Sequence, residues 1–187
     1  MDIQLVAVDI DGTFVRSDYT YDVPRFQRIL SRMKEIGCHF VVASGNQYYQ
    51  LRDLFPGYDE ELSFVVENGA FVKDRTELVF TAEMPKETVD FVIDLCREYP
   101  EISNVLCGLE SAYCERGTVS QEFFELTGVY YHRLQWVDDF KAVKDQILKF
   151  APTVPEEKTY DYYAMFGQRL EGKLEATTSG HGSIDLI

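Results

Sequence analysis

The residues whose types and spacing could do chemistry together stand near the start of the chain. In IQLVAVDIDGTF, Asp9 and Asp11 lie one residue apart at the end of an apolar run, followed by Gly12 and Thr13. Two carboxylates so placed repel each other at neutral pH unless one is protonated or a cation lies between them. A hard divalent ion with oxygen ligands answers that need, and Mg2+ suits it best, which makes Asp9 and Asp11 the candidate metal ligands. With such an ion neutralising a phosphoryl group, one carboxylate can attack as a nucleophile while the other acts as acid and then base. Gly12 and Thr13 would offer backbone N–H groups to the phosphoryl oxygens.

Chemistry of this kind needs a scaffold that brings distant residues to the same place. Leu5 to Ile10 reads as a buried strand of the parallel-sheet kind. VPRFQRILSRMKEIG reads as a helix with Val23, Phe26, Ile29, Leu30, Met33 and Ile36 on one face, stopped by Gly37. HFVVAS is a second strand, NQYYQLRDLF a short helix ended before Pro56, and LSFVVEN a third strand. Strand, helix, strand, helix, strand implies a right-handed parallel sheet, whose ligand crevice lies beyond the carboxyl ends of its strands. The three ends carry Asp9 to Thr13, then Ser44, Gly45 and Asn46, then Glu67, Asn68 and Gly69. Small and polar residues at all three ends point to one site, in which Ser44 offers a hydroxyl.

Competing readings fall away unevenly. Asp-Gly alone is a common turn signal, and only the strand context and the Ser44-Gly45 pair lift it above that. An EF-hand counted from Asp9 would need glycine and glutamate where Phe14 and Thr20 stand. Ser44 alone would be a helix cap, and Asn68 with Gly69 suits a hairpin turn as well as a substrate contact. His181, between two glycines, reads as a turn residue, and Cys107 and Cys114 as small buried hydrophobes.

Composition narrows the partners. The chain has 187 residues, 32 Asp and Glu against 18 Lys and Arg, and a formal net charge of -14, with the basic residues scattered. Such a field repels a phosphate backbone, so no nucleic-acid partner is expected, and an anionic small substrate needs a local cation and backbone donors. Four cysteines without a C-x-x-C pair and three separated histidines give zinc no support. The N-terminus has no basic leader and no stretch is apolar enough to span a bilayer, so the expected location is the cytoplasm, away from membranes.

From Asn68 the pattern changes. NGAFVKDRTELVFTAE reads as a hairpin beside the sheet, and MPKETVDFVIDLCREYP as a helix with Val89, Val92, Ile93 and Cys96 on its inner face. A domain boundary is expected near Glu83. Beyond it, NVLCGL and SAYCER pair as strands, SQEFFELTG is a helix, YYHRLQWV a strand, and DDFKAVKDQILKFAPTVP a helix followed by a strand. PEEKTYDYYAMFGQRL reads as a helix with Tyr160, Tyr163, Phe166 and Leu170 inward, and KLEATTSG and SIDLI close as strands. The second unit is therefore expected to be α+β with a mainly antiparallel sheet.

VAVDIDGTF and VVASGN resemble the first two motifs of the haloacid dehalogenase superfamily of phosphatases. The hairpin after VVENGA and the α+β insert near Glu83 resemble its Cof-type subfamily, with a C2B-type cap. The resemblance implies an α/β fold: a Rossmann-like core over residues 1–83, with a parallel three-stranded part and a β-hairpin flap, and an α+β cap over residues 84–187. It implies a magnesium-dependent hydrolase of small phosphorylated metabolites. Asp9 would become an aspartyl phosphate and Asp11 would serve the leaving group and the attacking water. Magnesium would be held by the Asp9 side chain and the Asp11 carbonyl. Gly12, Thr13, Ser44, Gly45, Asn46 and Asn68 would bind phosphate or substrate, Asn46 standing where many relatives carry arginine.

Relatives continue after a strand like SIDLI with a lysine and Gly-Asp and Asn-Asp motifs, to which no remaining residue here can be matched. The chain is therefore expected to be truncated before the third and fourth core motifs and to have little phosphatase activity alone. The strand bearing Asp9 is expected to have an unpaired edge open to self-association. Two further readings stay open: a non-catalytic homologue acting as a binding module, and a sugar phosphomutase.

Overall fold

The computed structural model describes residues 3–187. Met1 and Asp2, where the leaderless N-terminus begins, lie outside them. The chain divides into two compact units, Met1–Thr81 and Ala82–Ile187.

In the first unit, β1 (Leu5–Asp9), β2 (His39–Ala43) and β3 (Ser63–Val66) run parallel as neighbours, and β4 (Phe71–Asp74) and β5 (Glu77–Thr81) continue the same sheet antiparallel. The hairpin thus extends the sheet from β3. Helix α1 (Val23–Glu35) joins β1 to β2, and α2 (Tyr48–Leu54) joins β2 to β3. The Asp22 side chain accepts the Arg25 N–H at 2.9 Å and so caps α1, a contact of about 1 kcal/mol. Gly37, at φ 71°, turns the chain out of it. Of the six residues expected inward on α1, only Phe26, Leu30 and Met33 are buried, while Val23, Ile29 and Ile36 are exposed. The buried three repeat at i, i+4 and i+7, and Ile29 and Ile36 fall to one side of that stripe, beyond its Met33 edge.

β1 stands at the edge of the sheet, as expected of the strand bearing Asp9, but the expectation that it is buried needs correcting, because Leu5 is 55% exposed. An apolar run shows β propensity, but only neighbours on both sides bury it.

The second unit holds a six-stranded sheet. Its strands are β6 (Ser103–Gly108), β7 (Ala112–Glu115), β8 (Leu134–Val137), β9 (Ile147–Thr153), β10 (Ala176–Gly180) and β11 (Ser183–Leu186), in the spatial order β10-β11-β9-β6-β7-β8. All pairings are antiparallel except β7 with β8. Its helices are α3 (Lys86–Arg97), α4 (Gln121–Thr127) and α5 (Thr159–Arg169). One core gathers Val89, Val92 and Ile93 of α3, Phe166 of α5, and Leu106, Phe150 and Ile184 of the sheet. A smaller cluster on Val105, Cys107 and Cys114 packs against Phe124 and Trp136.

Three elements differ from expectation. The strand through YYHRLQWV is confined to Leu134–Val137, because the Tyr130 and Tyr131 N–H groups close a turn on the Thr127 carbonyl. The helix expected from Asp138 shrinks to a single 3-10 turn at Phe140–Ala142, capped by the Asp139 side chain. On α5, Tyr160 is 74% exposed and Tyr163 40%, while Thr159, Tyr162, Phe166 and Leu170 turn inward. Phe166 and Leu170 are shared by both readings; the difference lies at the start of the helix, where at about 100° per residue Tyr162 falls on the Phe166 side of that stripe and Tyr160 and Tyr163 fall beyond its Leu170 edge.

No helix among the described residues is long and apolar enough to cross a membrane. All four cysteines are free and buried, and burial pushes the Cys96 and Cys114 thiols up to about 12.

Candidate functional site

The register of the first sheet does the gathering. Asp9 stands opposite Ala43, and Ala43 opposite Val65, so the three parallel strands end level with one another. The Ser44 N–H donates to the Val65 carbonyl at 3.0 Å, and the Glu67 N–H to the Asn46 carbonyl at 3.2 Å. The residues singled out at the three strand ends are therefore tied together by backbone hydrogen bonds beyond the sheet.

After β1 the chain makes a tight turn over Ile10–Phe14, closed by the Val15 N–H donating to the Ile10 carbonyl at 3.1 Å. Gly12 adopts φ 68° there, a conformation that costs a residue with a side chain more than it costs glycine. The turn is bolted down at both ends. Ile10 is fully buried, and the Phe14 ring packs at 5.0 Å from Tyr21, 5.5 Å from Phe26, 5.4 Å from Phe55 and 5.8 Å from Phe40, centroid to centroid. Such pairs contribute about 0.5–1.5 kcal/mol each beyond area burial. Phe14 was not among the expected site residues. Its signal was present in the alternation that sends Asp11 and Thr13 out and Phe14 in.

Side chains complete the arrangement. Thr13 Oγ1 donates to Asp9 Oδ2 at 2.9 Å, and Asn46 Nδ2 donates to Asp11 Oδ2 at 2.8 Å. The Ser44 hydroxyl oxygen accepts the Asn46 N–H at 3.1 Å, which leaves its proton free to donate outward. Asn68, exposed at the end of β3, lays its side chain against Gly45 so closely that a Cβ at position 45 would collide with it. Glu67, Asn68 and Gly69 all have positive φ, at 50°, 56° and 90°. A buried Glu67 held in this region is strained, as residues beside functional sites often are.

All eight expected residues thus share one end of one sheet: Asp9, Asp11, Gly12, Thr13, Ser44, Gly45, Asn46 and Asn68. Sequence reasoning placed Asn46 toward substrate; in the structure one of its side-chain N–H groups donates to Asp11.

Asp9 and Asp11 are exposed, and among the described residues neither has a Lys, Arg or His partner. Two uncompensated carboxylates, each with one oxygen held by a neutral donor, fit a hard cation. The described residues contain no group of three or more His, Cys, Asp or Glu side chains that could hold a metal. That donor set suits magnesium, which keeps several waters and needs one or two carboxylates plus substrate oxygens, better than a calcium cage or a zinc site.

A family model described as haloacid dehalogenase-like hydrolase matches residues 6–187. The 5-amino-6-(5-phospho-D-ribitylamino)uracil phosphatase YbjI of Escherichia coli (strain K12) is 37% identical over 187 residues, all of this chain and 69% of the relative. The crystal structure of SMU.1108c from Streptococcus mutans UA159 is similar at a TM-score of 0.91 and 33% identity, covering 100% of this chain and 70% of that one. A haloacid dehalogenase-like hydrolase from Bacteroides thetaiotaomicron shares the fold at a TM-score of 0.81 and 19% identity, over 100% of this chain and 71% of its own. A model match across nearly the whole chain, a phosphatase relative and a common fold agree: the chain belongs to the haloacid dehalogenase-like hydrolases and is a phosphoric monoester hydrolase of that family.

Proposed function

We propose that the chain hydrolyses small phosphorylated metabolites in a magnesium-dependent reaction through an aspartyl phosphate on Asp9. The observation that carries this is the pair of exposed carboxylates at level strand ends, each with one oxygen held by a neutral donor and no cationic partner among the described residues.

Thr13 occupies Asp9 Oδ2, which leaves Oδ1 to attack phosphorus. As the new Oδ1–P bond forms, the bond from phosphorus to the leaving oxygen breaks, and Asp11 gives that oxygen its proton. Asp11, then ionised, takes a proton from water as the water attacks phosphorus, releasing phosphate and free Asp9. Ser44 Oγ and the backbone N–H groups of Gly12 and Thr13 hold the phosphoryl oxygens. Magnesium, held by the Asp9 carboxylate and the Asp11 carbonyl, would neutralise phosphoryl charge when bound.

The name of the E. coli relative supports 5-amino-6-(5-phospho-D-ribitylamino)uracil as the first substrate to test. The 187-residue chain is expected to release phosphate from it only with magnesium present. Rapid quenching with radiolabelled substrate should trap one phosphoryl group per chain in the native protein and none in Asp9→Asn. Equal labelling of Asp9→Asn would overturn the mechanism, and transfer of the label to a hexose phosphate instead of water would favour the phosphomutase reading.

A further inference from the structure

A cleft of about 320 Å3 lies in the first unit at the opposite end of β2 from Ser44, where the chain leaves α1 and enters the sheet at His39. Leu30, Cys38 and Phe40, all buried, form its floor. Its rim carries Lys34, His39, Glu60, Glu61 and Arg75. Lys34 and Glu61 close an ion pair at 2.5 Å. Among the described residues, the side chains of Arg75, His39 and Glu60 make no hydrogen bond or ion pair, although Arg75 and Glu60 carry opposite charges in the same cleft. All three residues are exposed, so a ligand in the cleft can reach them.

The backbone holds this rim in place. Arg75 adopts φ 53°, a left-handed conformation that glycine or asparagine reaches at lower cost, and its N–H donates to the Leu62 carbonyl at 3.1 Å. The Glu61 and Leu62 N–H groups both donate to the Tyr58 carbonyl, at 2.9 and 3.0 Å, which closes the loop carrying Glu60. The turn with Arg75 and the loop with Glu60 are thus fastened together at Leu62. No side-chain contact within the described residues explains an arginine in that turn.

We infer that this cleft binds a free α-amino acid with an apolar side chain, its carboxylate on the Arg75 guanidinium, its ammonium on the Glu60 carboxylate and its side chain over Leu30 and Phe40. The rim charges select that class. An anion would meet Glu60, Glu61 and the C-terminal end of α1, where the helix dipole is negative. A cation would meet Lys34 and Arg75. An uncharged apolar molecule would desolvate Arg75 and Glu60 without pairing either. A zwitterion answers both signs: a guanidinium matches a carboxylate through two parallel N–H···O bonds, His39 can donate to the same carboxylate, and Glu60 accepts from an ammonium. A residue inside a peptide lacks both charges and a chain terminus carries only one of them, which leaves the free amino acid. The volume stands at the low end of small-molecule pockets and admits one such molecule.

The probe is L-leucine, titrated at neutral pH into the 15N-labelled chain. Saturable shifts are expected at the Gly37, His39 and Arg75 backbone amides. Isocaproate, which keeps the carboxylate and the side chain but lacks the ammonium, and isoamylamine, which lacks the carboxylate, should each bind at least about tenfold more weakly, as loss of one charge-assisted pair implies. Arg75→Asn keeps a residue suited to the left-handed turn and should abolish the shifts. The comparison among the three ligands uses the native chain, so it stands even if that variant folds poorly. Equal or tighter binding of either analogue, shifts confined to other parts of the chain, no saturable shift with leucine, or shifts retained in Arg75→Asn would each overturn the inference.

Discussion

Asn46 Nδ2 donates to Asp11 Oδ2 across 2.8 Å, joining residues 35 positions apart in sequence and on neighbouring strand ends. In the proposed mechanism this contact would set how the Asp11 carboxyl faces the leaving group, with Asn46 as a positioning residue. Asn46→Ala should therefore slow the chemical step and leave substrate binding almost unchanged. The loss should depend on the leaving group. An alkyl phosphate needs a proton from Asp11, and its kcat should drop about 10–100-fold, whereas p-nitrophenyl phosphate leaves as a stable anion and should lose far less. Steady-state kinetics on both substrates decides it: a rise in KM, or equal loss with both, would assign Asn46 to substrate contact instead.

Gly45 is small because Asn68 lies over it. In Gly45→Ala the new methyl group meets the tip of an exposed, flexible side chain, which can swing aside, so stability should change by less than about 1 kcal/mol. The cost appears in whatever Asn68 contacts. If Asn68 touches substrate, Gly45→Ala and Asn68→Ala should raise KM similarly, and the double variant should be no worse than either. Additive losses in that double-mutant cycle would show that the two residues act separately.

Phe14 anchors the turn that carries Asp11, Gly12 and Thr13 through four aromatic neighbours. Phe14→Ala should cost about 3 kcal/mol in urea unfolding, in the range for removing a packed aromatic ring. Phe14→Leu, which keeps most of the volume, should cost less. Because Asp11, Gly12 and Thr13 ride on the turn, activity of the folded fraction should also fall in Phe14→Ala. Unchanged specific activity at full folding would show that the closing hydrogen bond from Val15 to Ile10 suffices to shape it.

The gathering of the strand ends was more legible in the sequence than the packing. Asp9, Ser44 and Asn68 were each marked by a polar residue where an apolar run stops, and parallel pairing needs only that signal to bring strand ends level. The bond from Asn46 to Asp11 had no such signal, since it depends on where two side chains point once the strands are aligned. Burial was read less well because it depends on neighbours. Leu5 on β1 and Ile29 on α1 carry apolar patterns but lie at an edge and beside the contact stripe. On α5, three tyrosines within four positions misled the reading: Phe166 and Leu170 are inward as expected, but Tyr162 is buried and Tyr160 and Tyr163 are exposed.

Tyr162 makes the second unit's stability depend on pH at the alkaline end. Its phenol is pushed up to about 12, first by burial and then by the hydrogen bond it donates to Glu101. A raised value means that the folded chain holds this proton more tightly than the unfolded chain, where a tyrosine titrates near 10. The stabilisation is therefore complete below about pH 10 and disappears as the pH climbs to about 12, where Tyr162 ionises beside Glu101. Glu101 works in the opposite direction. The Tyr162 hydrogen bond, with help from Lys158, holds its carboxyl below the usual glutamate value, so its contribution is present above that value and fades as acid protonates it. Melting temperatures measured from pH 8 to about pH 12 should fall more steeply for the native chain than for Tyr162→Phe. Cys96 and Cys114, also raised to about 12, titrate in both proteins and leave a shared residual slope. Parallel curves would show that the fold relaxes around the ionised phenol.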